Sequence, residues 1–85
     1  MPTVTIYTTA LCPYCHSAKR LLKQKAAQFT EIDVGGRSDL RETLRLQSGG
    51  STTVPQIWIG ATHVGGCDDL YALEASGELD QLLHA

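Results

Sequence analysis

Long apolar runs are absent from this 85-residue sequence, and its most hydrophobic pieces, such as Ile57-Trp58-Ile59, extend over only a few residues. We therefore expect no membrane span. Blocks of like charge are also absent, since seven Lys and Arg oppose nine Asp and Glu for a formal net charge of -2. This balance argues against nucleic acid as the main partner, because nucleic-acid-binding domains carry a basic surface.

Cysteine is scarce, and its placement is informative. The three cysteines are odd in number, and Cys12 and Cys15 are too close to close a long loop, which disfavours a secreted disulfide framework. The first five residues also lack the basic segment and apolar run of a signal peptide. We therefore expect a cytosolic protein whose close thiol pair serves catalysis, redox sensing or metal binding.

The hydrophobic pattern predicts one α/β domain over residues 1–85. Alternating and β-branched stretches predict strands at 3–8, 29–34, 54–59 and 62–64. Three- and four-residue spacing predicts helices from Pro13, from Ser38 or Asp39, and from Asp68-Asp69, with a last short turn after Gly77. Asp39 and Glu42 are spaced as a capping box. The order βαβαββα is that of a mixed four-stranded sheet covered by helices.

The close thiol pair lies in Cys12-Pro13-Tyr14-Cys15, between the first strand and the first helix. Unpaired N–H groups and the positive end of the helix dipole favour a thiolate at this place, and Cys12, the outermost sulfur, gains most. Cys15 lies about one turn further along the helix and is the expected resolving thiol, which releases product from a mixed disulfide. The context of the motif therefore predicts thiol–disulfide chemistry.

Two metal-based alternatives would use the same cysteines. The second cysteine pair of a four-cysteine zinc site is missing, and the remaining candidate ligands are His16, His63, Cys67 and His84. Cys15-His16 also completes the C-x-x-C-H haem attachment pattern, but no signal peptide is apparent and Met1 is the only methionine. Redox use of the thiols is therefore favoured over both.

Three ordered motifs make the sequence resemble the glutaredoxin family over essentially its whole length. They are Leu11-Cys12-Pro13-Tyr14-Cys15, Thr53-Val54-Pro55 and Gly65-Gly66-Cys67-Asp68-Asp69-Leu70. The resemblance implies a thioredoxin-like fold and a small bacterial-type dithiol enzyme with a CPYC active site. It also implies glutathione as the reducing co-substrate.

The resemblance further implies where glutathione would bind. The implied contact residues are Tyr14, Thr53, Val54, Pro55, Gly66, Cys67 and Asp68. In the family, the proline of the second motif is cis, and the backbone of the residue before it pairs with the tripeptide like an added strand. The γ-glutamyl carboxylate is held by N–H groups at the start of the third helix, here those of Cys67 and Asp68. The Asp68 side chain would face the ammonium group, although Asp68 or Asp69 is also expected to cap the helix.

The sequence departs from the family pattern at Thr9, where many glutaredoxins carry a lysine for the glycyl carboxylate of glutathione. Arg41, on the second helix, is the expected replacement, and Arg37 is the next candidate. Cys67 is expected to be a small buried packing residue, with a second redox role left open.

We thus expect a glutathione-dependent thiol–disulfide oxidoreductase that uses Cys12 and Cys15 and holds no metal. Its expected partners are glutathione and glutathionylated or disulfide-containing proteins, and a monomer is expected. The alternative is a dimeric carrier in which Cys12 and glutathione hold an iron–sulfur cluster or another metal without redox turnover. The absorbance spectrum of freshly isolated protein distinguishes the two.

Overall fold

A four-stranded sheet with helices on both faces forms the protein, as described for residues 2–85 by a computed structural model. The elements in chain order are β1 (Val4–Thr8), α1 (Pro13–Gln24), β2 (Phe29–Asp33), α2 (Ser38–Gln47), β3 (Gln56–Ile59), β4 (Thr62–Gly65), α3 (Cys67–Ser76) and α4 (Glu78–Leu83). The strand order is β2-β1-β3-β4; β1 is parallel to β2, and the β1–β3 and β3–β4 pairs are antiparallel. The predicted mixed sheet is confirmed.

The central strand β1 is covered on both faces. Val4 and Ile6 pack into the larger hydrophobic cluster, together with residues of α1, α3 and α4. Tyr7 points to the other face, where it packs with Leu44 of α2 and with Val34. Each fully buried aliphatic side chain contributes roughly 1.5–3 kcal/mol through the hydrophobic effect. Burial on both faces therefore fixes the position of the loop that follows β1.

Three chain segments meet at one edge of the sheet. Tyr7, near the end of β1, lies opposite Gln56, the first residue of β3. Ile57 lies opposite Gly65, the last residue of β4. The loop after β1, the loop before β3 and the start of α3 after β4 are therefore brought together there. These segments carry the three motifs of the sequence.

The start of α2 differs from the prediction. Arg37 is the N-cap residue rather than Ser38 or Asp39, and no side chain caps the helix. The Asp39 carboxylate instead accepts hydrogen bonds from Arg37 Nε and Nη2, at 3.1 and 3.0 Å. Glu42 accepts hydrogen bonds from Arg45. The predicted capping box is therefore wrong, because neighbouring guanidinium groups engage both carboxylates.

Other bounds differ by a few residues. The strand predicted from Val54 begins at Gln56, and the helix predicted from Asp68 begins at Cys67. The predicted last turn is a separate six-residue helix, α4, because Gly77 adopts a left-handed φ of 81° and ends α3. Within residues 2–85, no helix is long and apolar enough to cross a bilayer.

A carboxylate joins β1, β2 and α1 below the cysteine loop. Glu31 Oε2 accepts hydrogen bonds from Thr8 Oγ1 at 2.7 Å and from Lys19 Nζ at 3.0 Å. The Thr8 hydroxyl and then the Lys19 ammonium lower the pKa of Glu31 below its ordinary value of 4.5. Ionised Glu31 therefore stabilises the fold at pH values above its ordinary pKa. This stabilisation is lost as the pH falls through the lower pKa that Glu31 has in the folded state.

Glu31→Gln should lower the melting temperature at pH 7, and the gap from the wild type should narrow as the pH falls toward 3. The amide removes the charge but keeps the size of the side chain, so the pH dependence isolates the charge. Thermal unfolding followed by circular dichroism at several pH values measures the gap. A gap of constant size would show that packing, and not the carboxylate charge, is what the substitution removes.

Candidate active site

Cys12 is placed at the start of α1 as its N-cap residue, with extended backbone angles of φ -120° and ψ 104°. Its sulfur accepts a hydrogen bond from the backbone N–H of Cys15 at 3.1 Å. The Cys12 thiol also donates to the carbonyl oxygen of Val54 at 3.8 Å. The first of these contacts stabilises negative charge on the sulfur, since an N–H group points at it. The second ties the sulfur to the loop before β3.

Cys15 lies deeper than Cys12. Its side chain is fully buried, whereas Cys12 keeps 8% of its surface exposed. Burial, followed by the hydrogen bond to Cys12 and the charge of Cys12, raises the pKa of Cys15 to about 12. Cys15 is therefore a protonated thiol near neutral pH.

An open groove of about 280 Å³, called the groove below, is lined by Val54, whose carbonyl accepts from the Cys12 thiol; Cys12 itself is not a lining residue. The lining residues are Tyr14, Thr53, Val54, Pro55, Gln56, Gly66, Cys67, Asp68 and Asp69. One wall is the chain before and at the start of β3, and the other is the start of α3. The structure thus brings together all the expected glutathione contacts except Arg41.

The first wall turns sharply at Pro55, which follows a cis peptide bond. The cis form that the resemblance implies is confirmed. Pro55 is buried, Val54 is half-buried and Thr53 is exposed. The Val54 carbonyl reaches the Cys12 thiol, so the wall and the cysteine are in direct contact.

In the second wall, the neighbouring carboxylates of Asp68 and Asp69 have different roles. Asp69 accepts a hydrogen bond from the Gly66 N–H at 2.9 Å and thereby caps the start of α3. A Cβ atom at Gly65, whose φ is +109°, would collide with this Asp69 carboxylate. Asp68 is exposed, and its side chain makes no hydrogen bond or ion pair with any residue between 2 and 85. Asp69 is therefore the cap, and Asp68 is free to meet a ligand.

Cys67 lines the groove as a buried thiol with 8% of its surface exposed. Burial, then the charges of Asp68 and Cys12, raise its pKa above the ordinary value of 9.0. It also belongs to the larger hydrophobic cluster. The expected packing role is confirmed, and a second redox role stays a prediction.

The basic residues lie outside the groove. Arg41 donates from Nη1 to the Thr52 carbonyl at 3.4 Å, next to the first wall. Arg37 is paired with Asp39 on the surface, and the hydrogen bond between them raises the pKa of Arg37. No Lys or Arg is among the groove's lining residues, which include two aspartates. Of the two candidate cations, Arg41 is therefore the better placed.

Two lining residues are not among the expected contacts: Asp69 was expected only as a possible cap, and sequence reasoning missed Gln56. The sequence pattern places Gln56 only in a strand, although the alternation along β3 already indicates which side of the sheet its side chain faces. Ile57 and Ile59 belong to the larger cluster, so Gln56 and Trp58 must face the opposite side of the sheet. A buried glutamine there needs hydrogen-bond partners, which this structure supplies. Among residues 2–85, no three His, Cys, Asp or Glu side chains are grouped so that they could hold a metal ion.

The known proteins that this chain is similar to are described as glutaredoxins. The family model Glutaredoxin matches residues 4–64. A glutaredoxin of Pseudomonas aeruginosa is 62% identical over 85 residues, which is 100% of each chain. A solution structure of glutaredoxin from Brucella melitensis is 55% identical with a TM-score of 0.85, and the match covers 98% of this chain and 89% of that one. A crystal structure of a buckwheat glutaredoxin–glutathione complex is 30% identical with a TM-score of 0.86, covering 95% and 76%.

Proposed function

The chain belongs to the glutaredoxin family, and we propose that it uses glutathione to reduce disulfides and protein–glutathione mixed disulfides through Cys12 and Cys15. Its fold is thioredoxin-like, and its activity is that of a thiol–disulfide oxidoreductase. The observation that carries the proposal is the Cys15 N–H that donates to Cys12 Sγ at 3.1 Å. This contact prepares one sulfur for attack at the side of an open groove.

Glutathione is proposed to lie extended along the groove. The backbone N–H and C=O of Val54 are suited to pair with the tripeptide, like a strand added to the sheet. The first N–H groups of α3, at Cys67 and Asp68, are suited to the γ-glutamyl carboxylate. The Asp68 carboxylate is suited to the ammonium group, because the neighbouring Asp69 is already engaged as a cap. Tyr14, with 65% of its surface exposed, flanks this path.

The proposed reaction begins when the Cys12 thiolate attacks the glutathione sulfur of a mixed disulfide. A new sulfur–sulfur bond joins Cys12 to glutathione, and the protein substrate leaves as a thiolate. A second glutathione thiolate then attacks the bound glutathione sulfur, which releases glutathione disulfide and restores Cys12. For other disulfides, Cys15 attacks the Cys12 sulfur, closes an internal disulfide and releases the substrate thiol. Two glutathione molecules then reduce that internal disulfide.

The proposed setting is the cytosol, where glutathione keeps thiols reduced. The proposed partners are glutathione and glutathionylated or disulfide-containing proteins, and the proposed form is a monomer. The metal-carrier alternative makes a different prediction, since a bound iron–sulfur cluster would add visible absorbance to freshly isolated protein.

A glutathione-coupled assay tests the proposal. The wild type should reduce a glutathionylated peptide with glutathione, recycled by glutathione reductase and NADPH, as the only thiol reductant. A parallel reaction with dithiothreitol checks that the thiols of the same preparation are active. Turnover with dithiothreitol but none with glutathione would overturn the glutathione dependence while leaving thiol–disulfide chemistry intact.

Thr9→Lys should improve the apparent affinity for glutathionylated substrate by a few-fold at most. No lining residue of the groove is a cation, and Thr9 stands where many glutaredoxins carry the lysine for the glycyl carboxylate, so a lysine at this position should add the missing charge. A partly exposed charge pair contributes only about 0.2–1 kcal/mol. Arg41→Ala should raise KM by a similar factor, and both effects should shrink as salt rises.

Arg45→Ala is the matched control, because Arg45 lies on the same helix but is paired with Glu42. It should leave KM unchanged at every salt concentration. If Arg41→Ala also leaves KM unchanged at low salt, the carboxylate is bound by backbone groups or by Arg37, and the placement of Arg41 is wrong.

A further inference from the structure

A side-chain network lies behind the first wall of the groove and is centred on Gln56. Gln56 Nε2 donates to Ser51 Oγ at 3.2 Å and to Thr53 Oγ1 at 3.1 Å. Gln56 Oε1 lies 2.7 Å from His63 Nε2. Gln56 is 7% exposed and is one of two buried polar side chains in the described part of the chain. It therefore links β4 to the segment 51–53, which leads into Val54.

The hydrogen-bond pattern fixes the orientation of the Gln56 amide. The two hydroxyl oxygens of Ser51 and Thr53 are 2.8 Å apart, so one hydroxyl must donate to the other. With the amide reversed, its oxygen could bond to both hydroxyls only by taking both hydroxyl hydrogens, which would leave none between the hydroxyls; all three contacts are hydrogen bonds only when the amide nitrogen faces the hydroxyls. The amide nitrogen therefore faces the hydroxyls, the amide oxygen accepts, and His63 Nε2 is the donor.

The His63 ring is itself held in place. It stacks on the indole of Trp58, with ring centroids 4.5 Å apart and an interplanar angle of 21°. Trp58 in turn packs edge-on against Tyr7 at 5.4 Å. His63 itself is exposed, so the stacking on Trp58 rather than burial holds the donor that orients Gln56.

At its Ser51 end, the network holds the loop that leads into Val54 and the proposed glutathione site. Ser51 Oγ also accepts the Thr53 N–H at 3.3 Å, and Ser51 N–H donates to Ser48 Oγ at 3.0 Å. Thr53 and Gln56 both line the groove. Fixing the Ser51 and Thr53 hydroxyls therefore fixes the path of the backbone as it enters Val54.

We propose that Gln56 is a positioning residue for the glutathionyl group, and that His63 acts through Gln56 by holding its amide in the donating orientation. The inference rests on the proposed function, because it assigns this role to the wall on which glutathione is proposed to bind. The network does not touch either sulfur of the Cys12–Cys15 pair. It reaches Cys12 only through the Val54 carbonyl, whose 3.8 Å contact with the sulfur is weak, so it should affect how firmly the substrate is held and leave the exchange step nearly unchanged.

Gln56→Met keeps the length of the side chain and removes its hydrogen bonds. KM for a glutathionylated peptide should rise about three- to tenfold, as expected for one or two hydrogen bonds, with kcat unchanged. His63→Phe keeps a ring for stacking on Trp58 but removes the donor, and KM should rise by a smaller factor. His63→Gln, which restores an N–H donor, should return KM toward the wild-type value. Gln81→Met makes the same change on the exposed surface of α4 and is the control.

The double variant Gln56→Met/His63→Phe decides whether the two residues act in series. Its KM should equal that of Gln56→Met alone, whereas multiplied effects would overturn the claim that His63 acts through Gln56. An unchanged KM in Gln56→Met, with or without a lower melting temperature, would overturn the positioning role. A lower kcat with slower alkylation of Cys12 would also overturn it. Wild-type turnover with glutathione, measured in the same assay, separately decides the proposed function.

Discussion

Cys12→Ser should abolish glutathione-dependent disulfide reduction, whereas Cys15→Ser should keep substantial activity toward glutathionylated substrates. The Cys12 sulfur receives the Cys15 N–H and contacts the carbonyl of Val54, which lines the groove. A serine hydroxyl does not form a mixed disulfide, so the first step is lost. Removal of a glutathionyl group needs only Cys12 and a second glutathione, so Cys15 is dispensable for it.

Steady-state assays with a glutathionylated peptide and with a small disulfide measure both variants. Brief alkylation near neutral pH, followed by peptide mass spectrometry, should label Cys12 first in the wild type. Burial raises the pKa values of Cys15 and Cys67, so both remain thiols under these conditions. Equal loss of activity in the two serine variants, or first labelling at Cys15, would overturn the assignment of nucleophile and resolving thiol.

Asp68→Ala should weaken binding of the glutathionyl group by roughly 1–3 kcal/mol, the range of a charge-assisted hydrogen bond, and should leave the melting temperature nearly unchanged. The Asp68 carboxylate is exposed, and no side chain between residues 2 and 85 pairs with it. Its removal therefore costs the fold little. KM for the glutathionylated peptide and thermal unfolding of the same preparation give the two readouts.

Asp69→Ala is the matched comparison, one residue further along the same helix. It removes the acceptor of the Gly66 N–H and should lower the free energy of unfolding by about 1 kcal/mol. Its effect on KM should be the smaller of the two. The opposite pattern, with stability lost in Asp68→Ala and KM raised in Asp69→Ala, would exchange the roles of ligand contact and cap.

The strands and helices could be predicted from the sequence because their periodicity reflects burial. Val4 and Ile6 alternate with residues that face the other side of β1, and both are buried as expected. The cap of α2 could not be predicted in this way. Asp39 suits two roles, and only the position of the Arg37 side chain shows that the ion pair takes precedence over the cap.

The candidate site was predictable where a motif carries its own chemistry, as at Cys12 and Asp68. Gln56 was missed because its role depends on a residue from another strand. His63 reaches it through the pairing of β3 with β4, in which the register shifts between Ile57 and Trp58. Such an irregularity leaves no periodic trace in the sequence, so the partner of Gln56 could not be identified beforehand.

The hydrogen bond and the charge that link the two sulfurs impose an order on their reactions. Burial is the largest cause of the raised pKa of Cys15, and the hydrogen bond and charge at Cys12 add to it. Once Cys12 is bonded to another sulfur, it can place no negative charge beside Cys15, and it is a weaker hydrogen-bond partner. The two thiols therefore act in sequence, because the Cys15 thiol becomes easier to ionise only after Cys12 has formed a mixed disulfide.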